Sequence, residues 1–154
     1  MRKKTLMIAL IGALATCGIV GATATIAVAQ EDPIKARKDN RKAAGAALRA
    51  AKAAIDAKAD AKAVTAQAAK LKELELAFVK LFPDTSKTGG ETEALPAIWD
   101  NAAGFKAASA AADATYDKLA VAAGGGDFAV MLTAWQAIGK DGCGNCHATF
   151  RVKK

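Results

Sequence analysis

Apolar side chains recur at steps of three and four along most of the chain, the spacing of one face of an α-helix. This pattern predicts amphipathic helices, and polar cap residues and prolines mark their ends. The first predicted helix begins at Asp32 and Pro33, an N-cap followed by a proline at the first helical position, and extends to about Lys58. Asp60 can cap the second, which stops before Pro83.

The segment 83–96 is polar and rich in glycine and proline, which predicts a crossover loop. A third helix is expected from about Asp100 to Ala123, ended by the glycines at 124–126, and Asp127 can cap a fourth. The predicted inward stripes of the second, third and fourth helices are Val64, Leu71, Leu74, Phe78 and Leu81; Phe105, Ala108, Ala112, Tyr116 and Leu119; and Phe128, Met131, Trp135 and Ile138. Four such helices with mostly short connections predict an all-α fold, an antiparallel four-helix bundle.

Composition supports this fold class. Alanine dominates, and only 5% of the residues are aromatic, which favours helix and close approach of helices. The pattern shows neither strand alternation nor an internal repeat.

The first 29 residues read as a cleaved signal peptide rather than as part of the fold. Arg2, Lys3 and Lys4 precede a long apolar run, and small residues at 27–29 suit cleavage after Ala29. We therefore expect export to the periplasm and a domain at 30–154. An uncleaved anchor is the alternative, and Cys17 bears only a faint likeness to a lipoprotein signal.

Net charge excludes one class of partner. Removing three signal residues from the 22 basic ones leaves 19 against 15 acidic, so the formal charge falls from +7 to +4. This net positive charge is small, and the basic residues are interspersed with acidic ones, so we expect no nucleic-acid binding.

The stretch DGCGNCHATFR, residues 141–151, contains the only histidine of the chain. On a helix, Cys143, Cys146 and His147 project from one face. A redox disulfide, a zinc ion and a covalent haem are the three candidates. A disulfide here closes only a tiny loop, a thioredoxin-like site requires a βαβ unit, and zinc requires a fourth ligand.

The spacing C-x-x-C-H is the attachment pattern of c-type haem, in which each thiol adds to one vinyl group and the imidazole binds the iron. We therefore expect one haem c, held covalently by Cys143 and Cys146, with His147 as axial ligand.

Two arginines, Arg37 and Arg41, interrupt an otherwise apolar stripe on the first helix. The stripe consists of Ile34, Arg37, Arg41, Ala44, Leu48, Ala51 and Ile55. A buried guanidinium is costly unless it is paired, and haem propionates are suitable anionic partners. The alternative is that the stripe is offset and both arginines extend to water.

The C-x-x-C-H motif in the last helix, followed by Phe150 and Arg151, resembles the cytochrome c′ family. Further weak similarities are the segments 96–101 with 105–106, and 34–37. The resemblance implies a four-helix bundle with one covalent haem, and places Arg37 near the propionates. It places Arg41 where relatives carry an apolar residue or a ligating methionine, which is a departure from the family pattern. Arg151 is expected close to the proximal face of the haem.

The sixth position of the iron lacks an obvious ligand. No second histidine exists, and Met131 lies sixteen residues before His147, about 24 Å away along a continuous helix. Arginine stays protonated and is not a plausible ligand. The iron is therefore expected to be five-coordinate, although a lysine or the N-terminal amine can ligate at alkaline pH.

These features predict an exported one-electron carrier that exchanges electrons with redox partner proteins. The alternative is binding of nitric oxide or carbon monoxide, as the resemblance implies, and a third hypothesis is a helical module with a labile disulfide. We expect no enzymatic activity, because the only histidine is already committed. The family resemblance and the alanine-rich first helix permit a homodimer.

Overall fold

The computed structural model describes residues 32–88 and 90–153. The helices are α1 (Pro33–Asp56), α2 (Ala61–Phe78), α3 (Ala97–Asp100), α4 (Ala102–Gly124), α5 (Phe128–Ala137) and α6 (Asn145–Phe150). Short 3₁₀ turns span Val79–Leu81 and Asp84–Ser86, and a π-helical turn, Ile138–Gly144, joins α5 to α6. The predicted signal peptide, residues 1–29, lies outside the described residues.

The predicted four-helix bundle is confirmed. α1 packs against α2, α2 against α4, α4 against α5 and the π-helical turn, and α1 also contacts α5, which closes the ring. Tight links at 57–60 and 125–127 make the helices that they join antiparallel, and the crossover 79–101 connects α2 to α4. Among residues 32–88 and 90–153, no helix is long and apolar enough to cross a membrane.

Side-chain caps set the helix starts. Asp32, Asp60 and Asp127 each accept a hydrogen bond from the backbone N–H two residues ahead, at 2.8–2.9 Å, as predicted. The third long helix starts slightly later than expected, because the backbone of Asn101 leaves the helical region. The Asn101 side chain caps α4.

The core divides into two clusters that meet at the C-terminal motif. The larger cluster joins the alanine-rich face of α1 to α2, α4 and α5, and Met131 lies fully buried in it. The smaller cluster is aromatic and centres on Ile98, Phe105 and Phe150. Cys143 packs against the larger cluster and Cys146 against the smaller. The motif therefore lies where the two clusters meet.

The fourth helix was predicted to be continuous and is not, because the π-helical turn interrupts it before the motif. Three glycines within seven residues weaken the α-helix there. A Cβ at Gly142 would lie 2.9 Å from Thr115 Oγ1 and 3.6 Å from Ala112 Cα, so any larger residue would force Thr115 or α4 to shift. Cys143 consequently lies in the π-helical turn, and Cys146 lies in α6.

We predict that Gly142→Ala destabilises the haem-loaded protein by about 1–3 kcal/mol, because the added methyl group is forced against α4. Gly139→Ala is the matched control in the same turn, where a Cβ meets nothing within 4 Å. This control variant should leave the free energy of unfolding unchanged or raise it slightly. Urea unfolding of both variants measures the difference, and equal stability of the two would contradict the packing argument.

Candidate functional site

A cavity of about 810 Å³ opens between α1, α2, α4, the π-helical turn and α6. Its lining contains every site residue that the sequence predicted, Arg37, Arg41, Cys143, Cys146, His147 and Arg151. The chain thus brings together residues that lie more than a hundred positions apart.

The two thiols and the imidazole have pKa values shifted by burial. Burial raises the pKa of both Cys143 and Cys146, that of Cys146 to about 11. Burial lowers the pKa of His147, and the nearby positive charge of Arg151 lowers it further. At neutral pH the thiols are therefore protonated and the imidazole is neutral, which is the form that binds a metal ion.

Arg37 is a buried cation with spare hydrogen-bonding capacity. Arg37 is only 5% exposed, and burial lowers the pKa of its guanidinium. Nη2 donates to the Ser86 carbonyl at 3.1 Å, and the guanidinium lies 4.5 Å from the centre of the Phe82 ring. Nε and Nη1 are buried without a protein partner. The alternative in which this arginine extends to water is wrong for Arg37.

Arg41 is tied to a buried acid that the sequence analysis did not identify. Its Nη1 donates to Glu75 Oε2 at 2.8 Å, and Ser109 Oγ donates to Glu75 Oε1 at 2.7 Å. The Arg41 guanidinium also lies 3.7 Å from the centre of the Phe78 ring. Glu75 is four residues after Leu71 on the buried face of α2, so its helical spacing was a signal that could have identified it.

Arg151 is held beside the histidine by the crossover segment. Its Nη2 lies 2.6 Å from Glu93 Oε2, and Nη1 lies 3.5 Å from His147 Nδ1. The backbone of Arg151 also forms an isolated antiparallel bridge with Ala94. These contacts tie the C-terminal end of the chain to the crossover and keep a positive charge near the imidazole.

These features fit a haem. The volume lies within the range of cofactor pockets, and the wall combines phenylalanine rings with two thiols and a neutral imidazole. The unpartnered nitrogens of Arg37 match the carboxylate edge of such a ring. In the described part of the chain, no group of three or more His, Cys, Asp or Glu residues is arranged to hold a metal ion on its own.

Comparisons with known proteins agree with this fit. The family model for Cytochrome C′ matches residues 32–151. Cytochrome c′ from Rubrivivax gelatinosus is 42% identical over 110 residues, 70% of this chain and 80% of the relative. Cytochrome c′ from Rhodopseudomonas palustris is 35% identical over 143 residues, 89% of this chain and 93% of the relative.

Solved structures show the same fold. The crystal structure of the Rubrivivax gelatinosus cytochrome c′ has a TM-score of 0.66 at 34% identity and covers 78% of this chain and 94% of that one. A nitric oxide complex of a leucine-to-isoleucine variant of cytochrome c prime from Alcaligenes xylosoxidans has a TM-score of 0.68 at 28% identity, covering 80% and 96%. Together with the fit of the cavity, these similarities show that the chain belongs to the cytochrome c′ family and binds one covalent haem c.

Proposed function

We propose that the protein is an exported monohaem cytochrome that transfers single electrons. Its haem is attached through Cys143 and Cys146 and ligated by His147. One observation carries the proposal: the two thiols and the neutral imidazole line a cavity that also contains the buried, unpartnered nitrogens of Arg37.

The bound haem supplies reversible one-electron Fe(III)/Fe(II) chemistry, and the protein tunes it through the axial ligand, burial and nearby charge. Arg37 compensates the negative charge of the propionates. Arg151, fixed by Glu93, keeps a positive charge beside His147. Phe82, Phe105 and Phe150 of the smaller cluster line the site and give it an apolar wall.

The sixth coordination position is proposed to be open. Met131 is fully buried in the larger cluster, away from the cavity lining. Arg41 lines the cavity, but an arginine side chain is not a plausible iron ligand.

Binding of nitric oxide or carbon monoxide is the alternative function, and the open position favours it. Among the similar structures, cytochrome c prime from Alcaligenes xylosoxidans is found as a leucine-to-isoleucine variant in complex with nitric oxide and as a leucine-to-glycine variant with carbon monoxide. The measurement that separates the two functions is ligand binding by the reduced protein.

The proposal includes export by residues 1–29, a periplasmic location and electron exchange with redox partner proteins. The basic start, the apolar run and the small residues before position 30 support export. A homodimer through α1 is part of the same proposal, and its support is the family resemblance.

Covalent attachment is testable by mass. Protein exported in a host with cytochrome c maturation should retain haem after acid denaturation, because thioether bonds survive unfolding. Cys143→Ser and Cys146→Ser should each leave one thioether link or no haem-loaded protein. A native protein whose denatured mass lacks haem would refute the attachment.

Arg37→Met should lower the reduction potential by tens of millivolts, because a buried positive charge near the haem favours the ferrous state. Arg49→Met is the matched control, since Arg49 is an exposed arginine on the same helix. Its effect should be small, because water and salt screen an exposed charge. Spectroelectrochemical titration measures both potentials, and equal shifts would argue against a propionate contact.

Electron paramagnetic resonance tests the open position. The ferric protein should be high-spin near neutral pH, and the ferrous protein should bind carbon monoxide. A low-spin species is expected only at alkaline pH, where a deprotonated amine can compete for the iron. A wholly low-spin signal at neutral pH would reveal an internal sixth ligand and favour electron transfer alone.

A further inference from the structure

The ion pair between Arg41 and Glu75 is a feature of the cavity that electron transfer does not require. Both residues line the cavity, and Glu75 is only 5% exposed. The Arg41 side chain is 34% exposed, so the pair is half-buried, and pairs of this kind often add little to stability. The stability of the bundle therefore does not explain the pair. Its position suggests a role in ligand binding.

The pair is held in place and still has unused hydrogen-bonding capacity. Asn40 Oδ1 accepts from Arg41 Nε at 2.9 Å and from Nη2 at 2.6 Å, and the Phe78 ring packs against the guanidinium. Nη1 carries two N–H bonds, and one of them is directed to Glu75. Each Glu75 oxygen accepts one hydrogen bond and retains a lone pair. An N–H donor of Arg41 and an oxygen acceptor of Glu75 therefore lie next to each other in the cavity lining.

The pair acts electrostatically on the residues that are proposed to hold the haem. Burial is the main reason that the pKa of His147 is low, but the charge of Arg41 also lowers it and that of Glu75 raises it. The same two charges act on Cys146. The pair thus lies within electrostatic range of the residues that hold the haem.

We propose that Arg41 and Glu75 form an acid–base pair that adapts this pocket to small weak acids HX, whose anion X⁻ binds iron. The inference rests on the proposed function, because it requires the open sixth position. A Glu75 carboxylate oxygen would accept the proton of HX, the electron pair of the H–X bond would stay on X⁻, and X⁻ is the form that the haem iron would bind. Arg41 donates its second Nη1–H to the bound anion. No electron is gained or lost.

Cyanide and azide binding to the ferric protein tests this pair. At neutral pH cyanide is present as hydrogen cyanide, which must lose its proton, whereas azide is already an anion. Glu75→Gln should slow cyanide association about tenfold or more and should not slow azide association. Arg41→Met should increase the dissociation rates of both anions about tenfold, because the bound anion loses a charge-assisted hydrogen bond.

Glu73→Gln is the matched control. Glu73 lies on the same helix, and its ion pair with Lys70, at 2.9 Å, is exposed. This variant should leave all four rates unchanged. A Glu75→Gln variant that slows cyanide and azide equally would overturn the proposal, because a merely structural defect has that signature. Native-like dissociation in Arg41→Met would overturn it as well.

A second variant covers the case in which Glu75→Gln does not fold. The double variant Arg41→Leu, Glu75→Leu replaces the whole ion pair by apolar side chains, which protein interiors commonly tolerate. It should slow cyanide association at least tenfold and slow azide association less, because only cyanide must lose a proton. Native-like cyanide binding by this variant would overturn the proposal.

Carbon monoxide binding by the native ferrous protein separates this inference from the proposed function. Carbon monoxide carries no proton, so its binding requires the open position but not the ion pair. If the native protein binds carbon monoxide but the variants lack the expected cyanide pattern, only the acid–base pair is refuted. If the native protein binds neither ligand, the open position and the acid–base pair are refuted together.

Discussion

The close approach of Gly142 to α4 is the constraint on which the site depends. Because a Cβ there would lie 2.9 Å from Thr115 Oγ1, a larger side chain would force the Thr115 side chain or α4 to shift. The approach coincides with the π-helical turn, and together they place Cys143 against the larger cluster and Cys146 against the smaller. π-Helical turns are often found at functional sites, and here the turn aligns the attachment motif with the cavity.

Burial of charge is the second theme of the molecule, and it has two different outcomes. Arg37 is left with nitrogen atoms that no protein group satisfies, which suits an anionic partner supplied by the cofactor. Arg41 has found its partners within the protein, in Glu75, Asn40 and the Phe78 ring. Arg37 is therefore left with unpartnered nitrogens, whereas Arg41 is paired within the protein.

The helical spacing and the C-x-x-C-H motif predicted most of the fold and the central residues of the site. The caps at Asp32, Asp60 and Asp127 were predicted because capping is local, and it depends on hydrogen bonds between residues two or three positions apart. The π-helical turn was missed, because the fourth helix was predicted to continue through three glycines. Whether glycines interrupt a helix depends on how that helix packs, here against α4. Glu75 was missed because a single acid on an inward stripe has no visible partner along the chain.

By itself, the sequence predicted most helix starts, the inward faces of the helices, and the three residues proposed to attach and ligate the haem, since each is a property of local spacing. Only the tertiary structure decided how the arginines are partnered. Arg41 and Glu75 are 34 positions apart, and Arg151 reaches Glu93 across 58. Such pairings follow from how the helices pack, because two side chains far apart in the sequence come into contact only when the fold brings their backbones close together.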